Sequence, residues 1–225
     1  AHVANIIAVL PGPRREAIAL VSHYDSQRMS PGGGDDGFGV AVSLEAARVL
    51  ASQAERQWTT MILVTDAEEE GLMGAAALMG DAQVRDDLAA YINIESIGSA
   101  GPSVLFETGP GNAWLLKPWV RSAPHPHGGS YAIEIYKWLP NDTDFSVFAR
   151  HQIPGLNFAN IGDSYAYHTR LDTSDRLSGR VLRETGENVV SKRIYVKLNY
   201  QIQESRPADF DALFVTSLTV NGVKI

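Results

Sequence analysis

Short apolar runs of strand length alternate along this chain with stretches whose apolar positions recur every three to four residues. The runs at 17–23 (AIALVSH) and 59–65 (TTMILVT) are apolar at nearly every position, as in strands buried on both faces. Residues 5–10, 90–94, 103–106 and 155–159 are predicted as further strands, the first ending at the Pro11-Gly12-Pro13 turn. Helical periodicity predicts helices over 37–51, 71–79, 114–120, 144–150 and 178–190, the first with Val40, Val42, Leu44, Ala47, Val49 and Leu50 as its apolar face. Such alternation is the signature of an α/β fold around a largely parallel sheet. Past residue 193 the pattern changes, with strands expected at 194–198 and 214–223 around a polar stretch at 203–211. Two units are therefore expected: a domain over 1–193 and a β-rich extension over 194–225 packed on it.

Composition narrows the chemistry. At 225 residues with a net charge of −7 and no cluster of Lys or Arg, the chain is a poor match for a phosphate backbone, so no nucleic-acid partner is expected. No apolar run approaches the ~18 residues a membrane span requires, so no membrane contact is expected from this segment. Cysteine is absent, so a metal site here must be built from His, Asp and Glu.

The acids and histidines fall where ligands bind in open α/β sheets, outside the carboxyl ends of the strands. One strand ends in His23-Tyr24-Asp25, the next in Asp66-Ala67-Glu68-Glu69-Glu70, and another in Glu95; Tyr167-His168 follows a later one, and the Gly32-Gly33-Gly34 loop ends in Asp35-Asp36. Each alone has an ordinary explanation as a turn, a helix cap or a solvated face. Together they make a rim of oxygen and imidazole groups. Asp35, Glu69 and Glu95 beside His23 and His168 would be an uncompensated negative cluster unless divalent ions neutralise it, which favours two zinc ions over one.

Six segments carry a family resemblance: SHYDS (22–26), PGGGDDGFGVA (31–41), TDAEEEGLMGA (65–75), INIESIGSAG (92–101), NDTDF (141–145) and YHTRLDTSD (167–175). In this order the chain resembles metallopeptidase family twenty-eight, the co-catalytic dizinc aminopeptidases, and within it the endoplasmic-reticulum and vacuolar-membrane subgroup. The resemblance implies a three-layer α/β sandwich, a mostly parallel mixed sheet with helices on both faces, of the zinc-peptidase/phosphorylase type. It implies two zinc ions per chain, one held by His23 and Glu95, the other by Glu69 and His168, with Asp35 bridging. Glu68 takes the general acid/base position and Tyr167 that of a donor to the oxyanion. Asp36 matches a residue joined to the bridging aspartate by a cis peptide bond. Glutamate at 95, where aspartate is commoner, is a departure shared with the subgroup. Asp25 shares a face with His23 on an extended chain and is expected to accept its second ring N–H. Asp172 has two readings, a brace for the His168 loop or a turn cap, and residues 141–144 are either pocket lining or an N-cap.

The implied activity is zinc-dependent exopeptidase cleavage of a terminal peptide bond through a water shared by the two ions, with a peptide or small amide as partner. Aminopeptidase is the first choice; carboxypeptidase stays open, as does oligomeric state. Glutaminyl cyclases share the fold but use one zinc and do not need counterparts of His23 and Glu95. A transferrin-receptor-like interaction module would lack ligands, whereas all five stand here. Family members are mostly secreted, periplasmic or organelle-lumenal.

Overall fold

The structure, a computed structural model, describes residues 2–53, 57–109, 112–136, 138, 142–190, 219–220 and 223–224. Eight strands are described: β1 (Ile6–Leu10), β2 (Arg14–His23), β3 (Trp58–Thr65), β4 (Leu88–Ser96), β5 (Ala100–Thr108), β6 (Gly155–Gly162), β7 (Thr219–Val220) and β8 (Val223–Lys224). They form one sheet in the order β5-β6-β4-β2-β3-β1-β7-β8. β6, β4, β2 and β3 run parallel, and β5 and β1 flank them antiparallel. The helices are α1 (Gly37–Ala51), α2 (Met73–Gly80), α3 (Ala82–Arg85), α4 (Ala113–Ser122), α5 (Ser130–Tyr136), α6 (Asp144–Arg150) and α7 (Gly179–Val189).

Alternate residues of β2 serve two cores. Ile18 and Leu20 pack with Phe38, Val42 and Leu50 of α1, Trp119 of α4 and Val181 of α7. Ala17, Ala19 and Val21 pack with Leu78 and Met79 of α2 and with Phe145 and Phe148 of α6. Helices thus cover both faces in three layers, which is why the inner strands read as almost continuous apolar runs. Because these strands are parallel, His23, Thr65 and Glu95 all arrive near the same edge of the sheet, with His23 directly beside Thr65 in register.

The element boundaries differ from expectation where local backbone geometry decides them. α2 starts at Met73 rather than 71 because Gly71 (φ 105°) and Leu72 (φ 59°) are left-handed and cannot join a right-handed helix. α3 and α5 were not expected; each has two turns or fewer, too short for a periodic pattern, and no residue of α5 is buried. Leu44, read as part of the apolar face of α1, points to solvent, while Ala46 and Ser43 face the sheet. The strand expected at 194–198 lies outside the described residues. Within 214–223, β7 pairs antiparallel with β1 at Ile7 and with β8.

α1 approaches β4 closely through Gly39, where a Cβ would sit 2.6 Å from the Ile94 carbonyl oxygen and against the Asp36 carboxylate. Gly39→Ala is expected to destabilise the fold by about 1–3 kcal/mol through overpacking, read as a lower Tm in thermal unfolding.

Candidate metal centre

The shared strand edge brings His23, Asp35, Glu69, Glu95 and His168 together, and the Asp35 carboxylate lies at their middle. Its Oδ1 is 3.2 Å from His23 Nε2 and its Oδ2 is 3.0 Å from His168 Nε2. Glu95 Oε2 lies 3.5 Å from the same His23 nitrogen, and Glu69 Oε1 lies 3.3 Å from that of His168. Two groups of ligand-type atoms result, each within 4.8 Å: His23, Glu68 and Glu95, and Asp35, Glu69 and His168. Glu68, expected only as an acid/base group, stands close enough to share the first.

Among the described residues, the buried His168 Nε2 and Glu69 Oε1 have no hydrogen-bond partner, although they face each other and Asp35. Buried polar atoms aimed at a common point without a partner are what a cation between them would satisfy. The donors are imidazole nitrogen and carboxylate oxygen without sulfur, a set that fits zinc.

The loops are held by backbone hydrogen bonds. Asp25 faces His23 Nδ1 with both its backbone carbonyl (3.0 Å) and its carboxylate (3.4 Å). The carboxylate also accepts from the backbone N–H groups of Glu68 and Glu69, at 3.0 and 3.1 Å. Asp25 therefore ties the end of β2 to the loop after β3 as well as meeting the ring. Asp172, in the loop that carries His168, donates its N–H to the Thr169 carbonyl (3.2 Å), and its carboxylate accepts from Gly34 N (2.6 Å), Asp35 N (3.0 Å) and Ser30 Oγ (3.2 Å), tying that loop to the one that presents Asp35. The Asp35–Asp36 bond is cis, and Asp36 accepts from His23 N and from Gly39 N, capping α1. His168 is left-handed (φ 57°), with its ring stacked on Tyr167 at 3.7 Å. The turn before it is pinned by Arg176, which donates to Asp163 and to the Tyr165 hydroxyl.

Burial and mutual repulsion shape the protonation of the metal-free cluster. Burial, reinforced by Glu95, pushes the Glu68 carboxyl up to about 10. Burial alone would lower His23, but hydrogen bonds with Asp25, Asp35 and Glu95 outweigh it and hold the imidazole well above its ordinary value. Asp35 likewise is held low by His168 and His23 against the upward push of burial. Asp144, which accepts from Thr65 Oγ1, is pushed by burial up to about 7.

A cleft of about 950 Å³ opens above these acids. One wall is apolar, built from Ile97, Phe106, Ile135, Tyr136 and Ile161, with Phe106 and Tyr136 edge to face at 4.7 Å. Asp142 and Thr143 line it, Asp144 is buried beneath, and Asn141 lies outside the described residues. Tyr136, on the unexpected α5, carries a buried hydroxyl without a partner among the described residues. Only its place on α5 and against Phe106 brings it here, so no motif in the chain announces it.

The model of peptidase family M28 matches residues 5–192. The chain is 34% identical over 197 residues to mouse endoplasmic reticulum metallopeptidase 1, covering 84% of this chain and 22% of that protein. It therefore spans under a quarter of the relative's length. Among solved structures, a zinc aminopeptidase from Bacillus subtilis superimposes with a TM-score of 0.67 at 22% identity, over 88% of this chain and 49% of that one. The glutaminyl cyclase of Porphyromonas gingivalis reaches 0.66 at 21% identity, over 88% and 77%. At these identities the two structures speak to the fold, which both chemistries share.

In the metal-free protein, Glu68 titrates near 10 when folded and near 4.5 when unfolded, so the native state holds an extra proton between these values. Stability should then fall as pH rises through this window, with the raised His23 and Asp144 acting in the same direction. Chelator-treated protein is expected to melt at a lower temperature at pH 9 than at pH 6, and Glu68→Gln to flatten that slope. A Tm that rises over the same interval would contradict the assignment.

Proposed function

The chain belongs to peptidase family M28, and from that membership we propose that it is a zinc-dependent exopeptidase acting as an aminopeptidase, with two zinc ions per chain. The observation that carries this reading is Asp35, whose two oxygens face two separate ligand groups. His23 and Glu95 would hold one ion, Glu69 and His168 the other, and Asp35 both.

A bound zinc pair supplies an activated water and polarises the scissile carbonyl. Glu68, carried between Asp25 and the ligand Glu69, takes the proton from the attacking water and returns it to the leaving amine. Tyr167, kept from swinging by its stack on His168, donates to the oxyanion as it develops. Asp25 holds the Glu68-Glu69 backbone and the His23 ring in one arrangement, so the base and two ligands keep their spacing.

The polarity of the cleft favours an amino end. Its floor is acidic, and the guanidinium along its lining, Arg150, is shared with Asp142 at 3.9 Å at an exposed position. A substrate ammonium meets carboxylates there, whereas among the described residues a substrate carboxylate finds no cation set aside for it. The apolar wall suits a bulky apolar side chain on the terminal residue. Single-zinc cyclisation of the glutaminyl-cyclase kind is the second reading, supported by the shared fold; the paired His23 and Glu95 weigh against it. The name of the mouse relative suggests an organelle lumen as the compartment, and no helix among the described residues is long and apolar enough to cross a membrane.

Metal analysis together with aminoacyl-chromophore substrates, free and N-terminally blocked, tests the proposal. The expected result is about two zinc ions per chain and hydrolysis only of unblocked substrates. Glu68→Gln should keep the zinc and lose kcat by about 10²–10⁴-fold. One zinc per chain with cyclisation of N-terminal glutamine would replace the peptidase reading by the cyclase one.

A further inference from the structure

Glu95 is buried at the end of β4, and its two oxygens have different partners. Oε2 faces His23 Nε2, while Oε1 accepts from Asn93 Nδ2 at 2.8 Å. Asn93 lies two residues earlier, on the same face of the strand, and is fully buried. It also donates to Asn157 Oδ1 at 2.9 Å, on the residue directly opposite in β6. Asn157 in turn donates to Glu107 Oε2 (3.1 Å), opposite it on β5, and to Thr143 Oγ1 (3.0 Å). A line of polar side chains thus crosses three strands of the sheet and ends at the candidate metal centre.

Its two ends determine its direction. Both are carboxylates, which accept hydrogen bonds when ionised. Turning the Asn93 amide over would set its oxygen against Glu95, and turning Asn157 would set its oxygen against Glu107. Each amide therefore spends both protons, and Asn93 Oδ1 is left buried without a donor among the described residues. An unsatisfied buried oxygen is destabilising, and an aliphatic side chain would suit a strand buried at every position better. Sheet stability does not explain Asn93. Holding one oxygen of Glu95 does.

We propose that Asn93, backed by Asn157 and Glu107, is the positioning residue for Glu95. By engaging Oε1 it leaves Oε2 as the single oxygen presented to the ion at His23. Glutamate has one more rotatable bond than aspartate, and the amide removes that freedom at the far end of the arm. The side chain can then act as a fixed one-oxygen ligand. This inference rests on the dizinc reading above.

The test compares the full chain with Asn93→Ala, Glu95→Asp and the double variant. Zinc affinities are measured by competition with a chromogenic chelator, and folding by circular dichroism and thermal unfolding. In folded Asn93→Ala, one of the two ions is expected to bind about 10- to 100-fold more weakly, and the other to change by no more than about twofold. In the Glu95→Asp background the same substitution should cost clearly less, because the shorter arm no longer depends on the amide. Unchanged zinc affinities in a folded variant would overturn the proposal. So would equal, additive losses in the two backgrounds, which a merely structural role would produce. If Asn93→Ala does not fold, Asn157→Ser, which removes the support of Asn93, is read in the same way: a weakened single ion supports the inference and no change refutes it. Wild-type protein that takes up no zinc would instead overturn the peptidase reading.

Discussion

The Asp35 carboxylate reaches two imidazoles with two different oxygens, and much of the surrounding structure serves to keep it there. Asp172 holds the backbone N–H of Asp35 and that of Gly34. Asp36, next in the chain, is tied to both His23 and the first turn of α1. Crowding acids around this point is unfavourable in a buried setting: beyond burial itself, Glu95 and Glu69 raise the cost of ionising Glu68, and Asp35 raises that of Glu69. Divalent cations bound there would turn that mutual repulsion into attraction, so the cluster is a poor stabilising device by itself and suited to holding cations.

The two halves of the centre are built differently. His23 is the last residue of a central strand, with its ring wholly buried and its second nitrogen held by Asp25. His168 sits on a partly exposed loop, oriented by its left-handed backbone, the Tyr167 stack and the turn that Arg176 pins. Ligands on strands inherit the rigidity of the sheet; ligands on loops need local clamps. Both kinds occur here because a parallel sheet offers only the ends of its strands, and the remaining positions must come from connections. The same fold occurs in a zinc aminopeptidase and in a glutaminyl cyclase, so the argument for function belongs to the side chains at the rim and not to the sheet.

Much of this was legible along the chain. Buried parallel strands announce themselves as apolar runs, and an acid or histidine ending each run is visible without coordinates, as at His23, the Glu68-Glu69 pair and Glu95. The short α5 was not legible, because a seven-residue helix with no buried residue has no periodicity to read. Nor were the backbone N–H partners of Asp25 and Asp172 legible, since every residue but proline carries such a group and it leaves no trace in residue type.

What the chain by itself determined is the kind of each main element and the chemical identity of the groups that can hold a cation, because both are local properties of residue type and spacing. Tertiary structure alone decided which groups meet. Asn93, Asn157 and Glu107 are 64 and 50 residues apart in their two hydrogen-bonded pairs, and only strand order and register set them side by side. A register shifted by one residue would turn these side chains to the opposite face and leave Glu95 unsupported.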